Sequence, residues 1–184
     1  MSTRQADGRR SSAIWLAVVI TLVGAVMRLI PHPDNVTPLV AIALFGGTLL
    51  TGAWALIVPL AAIMLSDALL GFHRAIPFTW GSVLLIALLG LWVRRRAGWR
   101  RILVGSLLSS TLFFVITNFG VWAAGHGQWY SRTWAGLAEC YAVAIPFYRQ
   151  ALLGDVAYAG ILFGAYRVAA TRMTKPSAAP ASST

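Results

Sequence analysis

The sequence predicts an all-α integral membrane protein, a six-helix transmembrane bundle, and three observations carry that prediction. Hydrophobic residues make up 58% of the 184 positions and charged residues 11%, against roughly a quarter charged in a soluble domain. Six apolar runs come close to the roughly 20 residues a helix needs to cross a hydrocarbon core. The basic residues stand in short clusters at the ends of those runs, as the positive-inside rule describes.

Taken in order, residues 1–12 form a polar lead-in with Arg9-Arg10 close to the first apolar run. That run, 13–30, is longer than the apolar region of a secretory signal and has no small-residue cleavage site. It leads into Arg28 and Pro31-His32-Pro33, and is read as a retained first span. Spans are expected at 37–53 and 54–72, separated only by the turn signals Thr51 and Gly52, then at 77–93, 102–124 and 147–168. The stretch 125–146 contains Trp129, Tyr130, Trp134, Glu139, Cys140 and Tyr141. Its segment 133–144 is expected as a short interfacial helix or re-entrant piece, where Trp and Tyr rings are stable. The membrane domain thus covers 13–170, followed by a tail, 171–184, rich in Ala, Ser and Pro and expected to be disordered.

Charge sets the expected orientation. With both termini cytoplasmic, eleven basic residues (Arg4, Arg9, Arg10, Arg94, Arg95, Arg96, Arg100, Arg101, Arg167, Arg172 and Lys175) face inward. Four (Arg28, Arg74, Arg132 and Arg149) face outward. The expected location is a bacterial cytoplasmic membrane, crossed several times, with the lipid bilayer as the first partner. In this threading Asp34, Asp67, Glu139, Asp155 and all three histidines (His32, His73 and His126) fall on the outer side. Concentrating scarce polar groups at one face of an apolar bundle points to a pocket opening there.

Several functions are excluded. The net charge of +10 brackets apolar runs and builds no aromatic-basic platform for nucleic acid. One cysteine, Cys140, rules out an intrachain disulfide and any CxxC motif. HExxH, GxSxG, Walker A and GxGxxG motifs are all missing. No serine or cysteine has a general base supported by its sequence context, so an enzyme is not expected.

The candidate binding residues are the polar and aromatic groups near the outer face. Asp67 lies about a turn and a half below the end of its span, where a carboxylate must face protein, water or a counter-charge. It pairs with Arg28 or Arg149, or it contacts substrate at a pocket floor. Arg149 and Asp155 are six residues apart on a helix, so they point about 120° from each other and each looks to another helix. His32 sits in a stiff loop between two prolines; His73 is a similar loop candidate. Asn118 and Trp122 share one helix face and are expected to line a cavity together, and Tyr141 belongs to the external aromatic segment. Ser106, Ser109, Ser110 and Thr111 read as hydrogen-bonding glue between helices.

Six strings carry a family resemblance: Arg28-Leu29-Ile30-Pro31-His32-Pro33, Asn35-Val36-Thr37-Pro38, Ala43-Leu44-Phe45-Gly46-Gly47, Leu65-Ser66-Asp67 with Gly71-Phe72-His73, Thr117-Asn118-Phe119-Gly120-Val121-Trp122, and Ala144-Ile145-Pro146-Phe147 with Leu153-Gly154-Asp155. Over about residues 15–165 the chain resembles a family of small, uncharacterised bacterial membrane proteins. It also resembles the BtuM-type solitary substrate-binding (S) components of energy-coupling-factor (ECF) transporters, which take up cobalamin. The resemblance implies an S-component fold with an outward-open vitamin pocket in which His32, Asp67 and Arg149 line a corrinoid site. That family places a cobalt-ligating cysteine near the start of the fourth span. Here Phe78-Thr79-Trp80-Gly81-Ser82 has none, Cys140 is distant in sequence, and His32 is the candidate replacement ligand.

The resemblance also implies docking to an ECF coupling protein through small residues of the first helix, where Ala13 and Ala17 form an A-x-x-x-A pair. ATPase subunits would be separate chains, or the protein would act alone. No intrinsic cofactor is expected; a corrinoid would be the transported ligand. The expected function is therefore a substrate-binding component for uptake of a vitamin-type molecule. The alternatives are a non-transporting membrane protein with a structural or assembly role, and an intramembrane enzyme acting on a lipid or polyprenyl substrate.

Overall fold

The computed structural model describes residues 3–30, 36–96 and 98–174. Over those residues the chain folds into six helices: α1 (Thr3–Met27), α2 (Leu39–Leu49), α3 (Trp54–Leu70), α4 (Ile76–Arg94), α5 (Trp99–Ala124) and α6 (Trp134–Thr174). Three helical segments are long and apolar enough to cross a membrane: Ile76–Arg94, Trp99–Ala124 and Trp134–Arg172. Three apolar stretches are shorter, Ser11–Met27, Leu39–Leu49 and Trp54–Leu70. His32, Asp34 and the tail from Lys175 onward lie outside the described residues.

The sequence of α2, LVAIALFGGTL, has no polar face. A helix that is apolar all round must be enclosed on every side. Accordingly α2 lies at the centre and touches every other helix, while the other five close a ring around it in the order α1, α3, α4, α5, α6 and back to α1. Every α2 residue from Leu39 to Thr48 is buried. Its single hydroxyl, Thr48, donates to the Leu44 carbonyl at 2.7 Å. Phe45 meets the edges of Phe163 and Tyr166 with ring centroids 5.2 and 5.9 Å apart. At the crossing with α4, backbone lies against backbone: a Cβ on Gly90 would fall 2.7 Å from the Gly47 carbonyl carbon, and one on Gly47 would overlap the Ala87 carbonyl oxygen. Small residues that let helices approach this closely maximise van der Waals contact.

Two expectations are corrected. The span expected at 37–53 is the 11-residue helix α2. It rises about 16 Å, roughly half a hydrocarbon core. Pro38 suits a helix start, since its missing N–H would be unpaired there anyway. The helix ends at Leu50, in extended backbone (ψ 152°). Gly52 then turns the chain at φ +59°, a left-handed conformation that glycine adopts without a Cβ clash. The separate interfacial segment 133–144 and sixth span 147–168 are instead one continuous helix, the 41 residues of α6. Pro146 stands inside it. Proline removes one helical hydrogen bond, a loss that transmembrane helices tolerate when neighbours satisfy the freed group. The helix of α1 also extends back over the polar lead-in to Thr3.

One end of the bundle gathers arginine and tryptophan. Arg94 donates to the Leu50 carbonyl at 2.7 Å, tying the last turn of α4 to the end of α2. Arg101 lies 4.8 Å over the Trp92 ring and Arg167 lies 5.0 Å over the Trp99 ring. Such contacts hold cations against aromatic faces.

Gly47→Ala is expected to cost about 3 kcal/mol, read as a lower unfolding midpoint in detergent. Gly160→Ala is the control, because nothing lies within 4 Å of a Cβ there. It should leave the midpoint unchanged or raise it by up to about 1 kcal/mol.

Candidate functional site

The face of α5 at Ser110, Phe113, Phe114, Thr117, Asn118 and Val121 follows helical spacing, as does the face of α6 at Ala144, Phe147, Tyr148, Ala151 and Asp155. These two faces enclose a cleft of about 250 Å³. At its inner end Ser110 donates to the Asp155 carboxylate, Oγ to Oδ2, at 2.7 Å. Both side chains are buried. Above them the walls are aromatic, with the Phe114 ring 4.5 Å from Tyr148 and 5.6 Å from Tyr141. The Tyr148 hydroxyl shares a 2.8 Å hydrogen bond with Thr111. The Thr117 hydroxyl and the Asn118 amide donate to the Phe113 and Phe114 carbonyls of their own helix, both at 2.8 Å.

Asp67 belongs to a second cluster, between α1, α3 and α4. Its Oδ1 pairs with Arg28 at 2.5 Å, and its Oδ2 accepts the Trp80 indole N–H at 2.8 Å. The same Arg28 nitrogen reaches the Ser66 hydroxyl at 2.6 Å, which donates in turn to the Ile63 carbonyl. Of the two partners expected for Asp67, the fold supplies Arg28. A carboxylate with a cation on one oxygen and an N–H on the other is satisfied where it stands.

The expected residues therefore do not form one receptacle. Asn118 and Asp155 line the α5–α6 cleft, whereas Asp67 is held at the other side of the bundle, since α3 touches neither α5 nor α6 among the described residues. Arg149 is exposed and pairs with neither carboxylate. Tyr141 borders the cleft through Phe114, with its hydroxyl donating to the Val115 carbonyl at 2.6 Å. Trp122, expected beside Asn118, instead donates to the Ser131 carbonyl at 2.9 Å and fastens the α5–α6 connection. His73 is exposed and lines a small cavity of about 110 Å³ with Arg74, Val121 and Trp129. His32, the candidate metal ligand, lies outside the described residues. Among the described residues no group of three or more His, Cys, Asp or Glu is placed to hold a metal ion.

Of the expected docking pair, Ala13 is half-buried. Ala17 is fully buried and belongs to the core cluster, and the Ala17 carbonyl accepts from Thr21 at 2.8 Å. The small residue lets α1 close onto its own bundle. Trp15, Val19, Val23 and Val26 are exposed instead.

Missed at the level of sequence were Phe113, Phe114, Phe147 and Tyr148, which build the cleft walls. Their signal was the matching 3–4 spacing on two successive helices, with a carboxylate at the end of one face.

This geometry defines an all-helical protein with helices able to cross a membrane and a polar-ended aromatic cleft between two of them. Residues 9–179 match the model of a family described as a family of unknown function, DUF6580, and the chain belongs to that family. No curated protein and no solved structure matches it.

Arg28→Met is expected to cost about 3–5 kcal/mol, because it strands the buried Asp67 carboxylate. The double variant Arg28→Met/Asp67→Asn should be more stable than Arg28→Met alone. Unfolding midpoints for the four forms of this cycle provide the check, and strictly additive losses would reject the pairing.

Proposed function

We propose that the protein is a multi-pass protein of a bacterial cytoplasmic membrane that captures a small, vitamin-type molecule in the α5–α6 cleft, as the substrate-binding component of an uptake system. The observation that carries this reading is the cleft itself. A buried carboxylate, a hydroxyl and four aromatic rings converge there, in a chain with only five acidic residues. Ligand sites characteristically combine apolar walls with a few placed polar groups. The arginine-rich end of the bundle would face the cytoplasm under the positive-inside rule, and both termini with it. Energised uptake would draw on separate coupling and ATPase subunits, because the chain carries no nucleotide-binding motif.

Cobalamin is the substrate suggested by the resemblance to BtuM-type components. A volume of about 250 Å³ falls below the roughly 300–1,000 Å³ of pockets that bury drug-sized ligands, and a corrinoid is larger than those ligands. Uptake of a corrinoid would therefore require α5 and α6 to part.

A second reading, a bundle with a structural or assembly role, is favoured by the Arg28–Asp67 pair, which accounts for one buried carboxylate by packing alone.

A thermal-shift screen of detergent-purified protein against vitamins, cobalamin included, separates the two. A true ligand at about 100 times its Kd stabilises by about 2.7 kcal/mol. Ala144→Leu, which fills the cleft, should abolish that shift. No shift with any compound, or an equal shift in the filled variant, rejects capture in this cleft. Reporter fusions at the tail and at the turn between α4 and α5 should both report the cytoplasm.

A further inference from the structure

The described carboxylates fare differently. Asp67 has Arg28, and Glu139 is exposed. Asp155 is 5% exposed, and among the described residues no basic side chain lies within 4 Å of it. Among those residues its hydrogen-bond partner is the neutral Ser110 hydroxyl. A charge at membrane depth is costly and is retained where it faces a partner or a cavity. Asp155 faces the cleft, whose walls are Phe113, Phe114, Phe147 and Tyr148. Aromatic faces attract cations through the ring quadrupole, so a carboxylate at the end of an aromatic cleft makes two contributions of the same sign. Calcium or magnesium would need a shell of six or more oxygens, which phenylalanine walls do not provide.

From this we propose that the ligand of the α5–α6 cleft is a small organic cation, a protonated amine or a quaternary ammonium, with its positive centre beside Asp155 and its apolar groups against the rings. The inference rests on the cleft being the capture site. It adds the charge of the substrate, which neither family membership nor the resemblance specifies.

The test uses the full chain in detergent, titrated by calorimetry with choline and with benzylammonium, each paired with a neutral counterpart, 3,3-dimethyl-1-butanol and benzyl alcohol. Binding of at least one cation about thirtyfold more tightly than its neutral counterpart is expected, the scale of losing one partner of a buried charge pair. In Asp155→Asn that preference should vanish while the neutral compound binds as before. Phe114→Leu covers the case in which Asp155→Asn does not fold: both compounds lose ring contact but only the cation loses the attraction of the ring face, so the cation should weaken several-fold more than its neutral counterpart, and equal losses overturn the proposal. Equal affinity for cation and neutral compound in the wild type, or a preference that survives Asp155→Asn, overturns the proposal. So does a failure of both cations to bind. If a neutral vitamin binds and Ala144→Leu blocks it, the capture site stands and its cationic specificity falls; if no compound depends on Ala144, both fall together.

Discussion

The structure depends on one constraint: an 11-residue helix with no polar face has to be surrounded. Nothing in α2 tolerates water, and its only hydroxyl is turned back onto its own backbone. Five helices in a ring satisfy it, and the ring closes because α2 is thin where it matters. Gly47 against Ala87 and Gly90 removes side chains from the α4 crossing, and Gly46 does the same where Pro59 of α3 presses in. Two larger residues of α2, Ile42 and Phe45, point toward α1 and α6, where they meet Gly24, Phe163 and Tyr166. Small against small on one side and large against aromatic on the other keep the ring from being uniform.

The short length of α2 has a second consequence. Val36 lies against Gly154 and Phe45 against Phe163, so α2 and α6 run in the same direction. Leu39, the first residue of α2, then comes level with α6 only after Asp155. The cleft residues Ala144 to Asp155 lie on the other side of that level, beyond the central helix. There α5 and α6 face each other without α2 to fill the angle between them. Pro146 falls in the same stretch, where a missing backbone hydrogen bond makes bending least costly. The cleft therefore follows from a core helix that stops before its neighbours do.

Much of this was legible in the sequence. The apolar runs located all six helices, and Thr51-Gly52 marked the reversal between α2 and α3 despite the lack of a polar loop. What the runs did not reveal was length in space: 37–53 reads as a full crossing until Pro38 and the extended Leu50 trim it. The fusion of 133–144 with 147–168 was hidden because Pro146 is a breaker in water but not where neighbouring helices satisfy the backbone. Asp67 was narrowed to two arginines and no further, because the choice depends on which helices are neighbours in the ring, a long-range fact. The aromatic faces of α5 and α6 were present as spacing. Phenylalanines at that spacing are, however, indistinguishable from ordinary core residues until the opposing helix is shown to stand off.

Asp67 and Asp155 together show how the bundle uses its scarce acids. Both are almost fully buried, so both carry a similar desolvation cost. At Asp67 the fold answers that cost from within, with the Arg28 guanidinium just past the end of α1 and an indole from α4, and the cluster joins three adjacent helices of the ring. At Asp155 the described residues supply a serine. Among the described residues no cation pairs with it, although Arg149 lies six residues away on the same helix. A helix advances about 100° per residue, so that spacing turns Arg149 away from the cleft and leaves it exposed. The same helical geometry that puts Asp155 at the end of an aromatic face keeps Arg149 off it. One acid is consumed in holding the ring together; the other faces the cleft with no basic side chain of the described residues beside it.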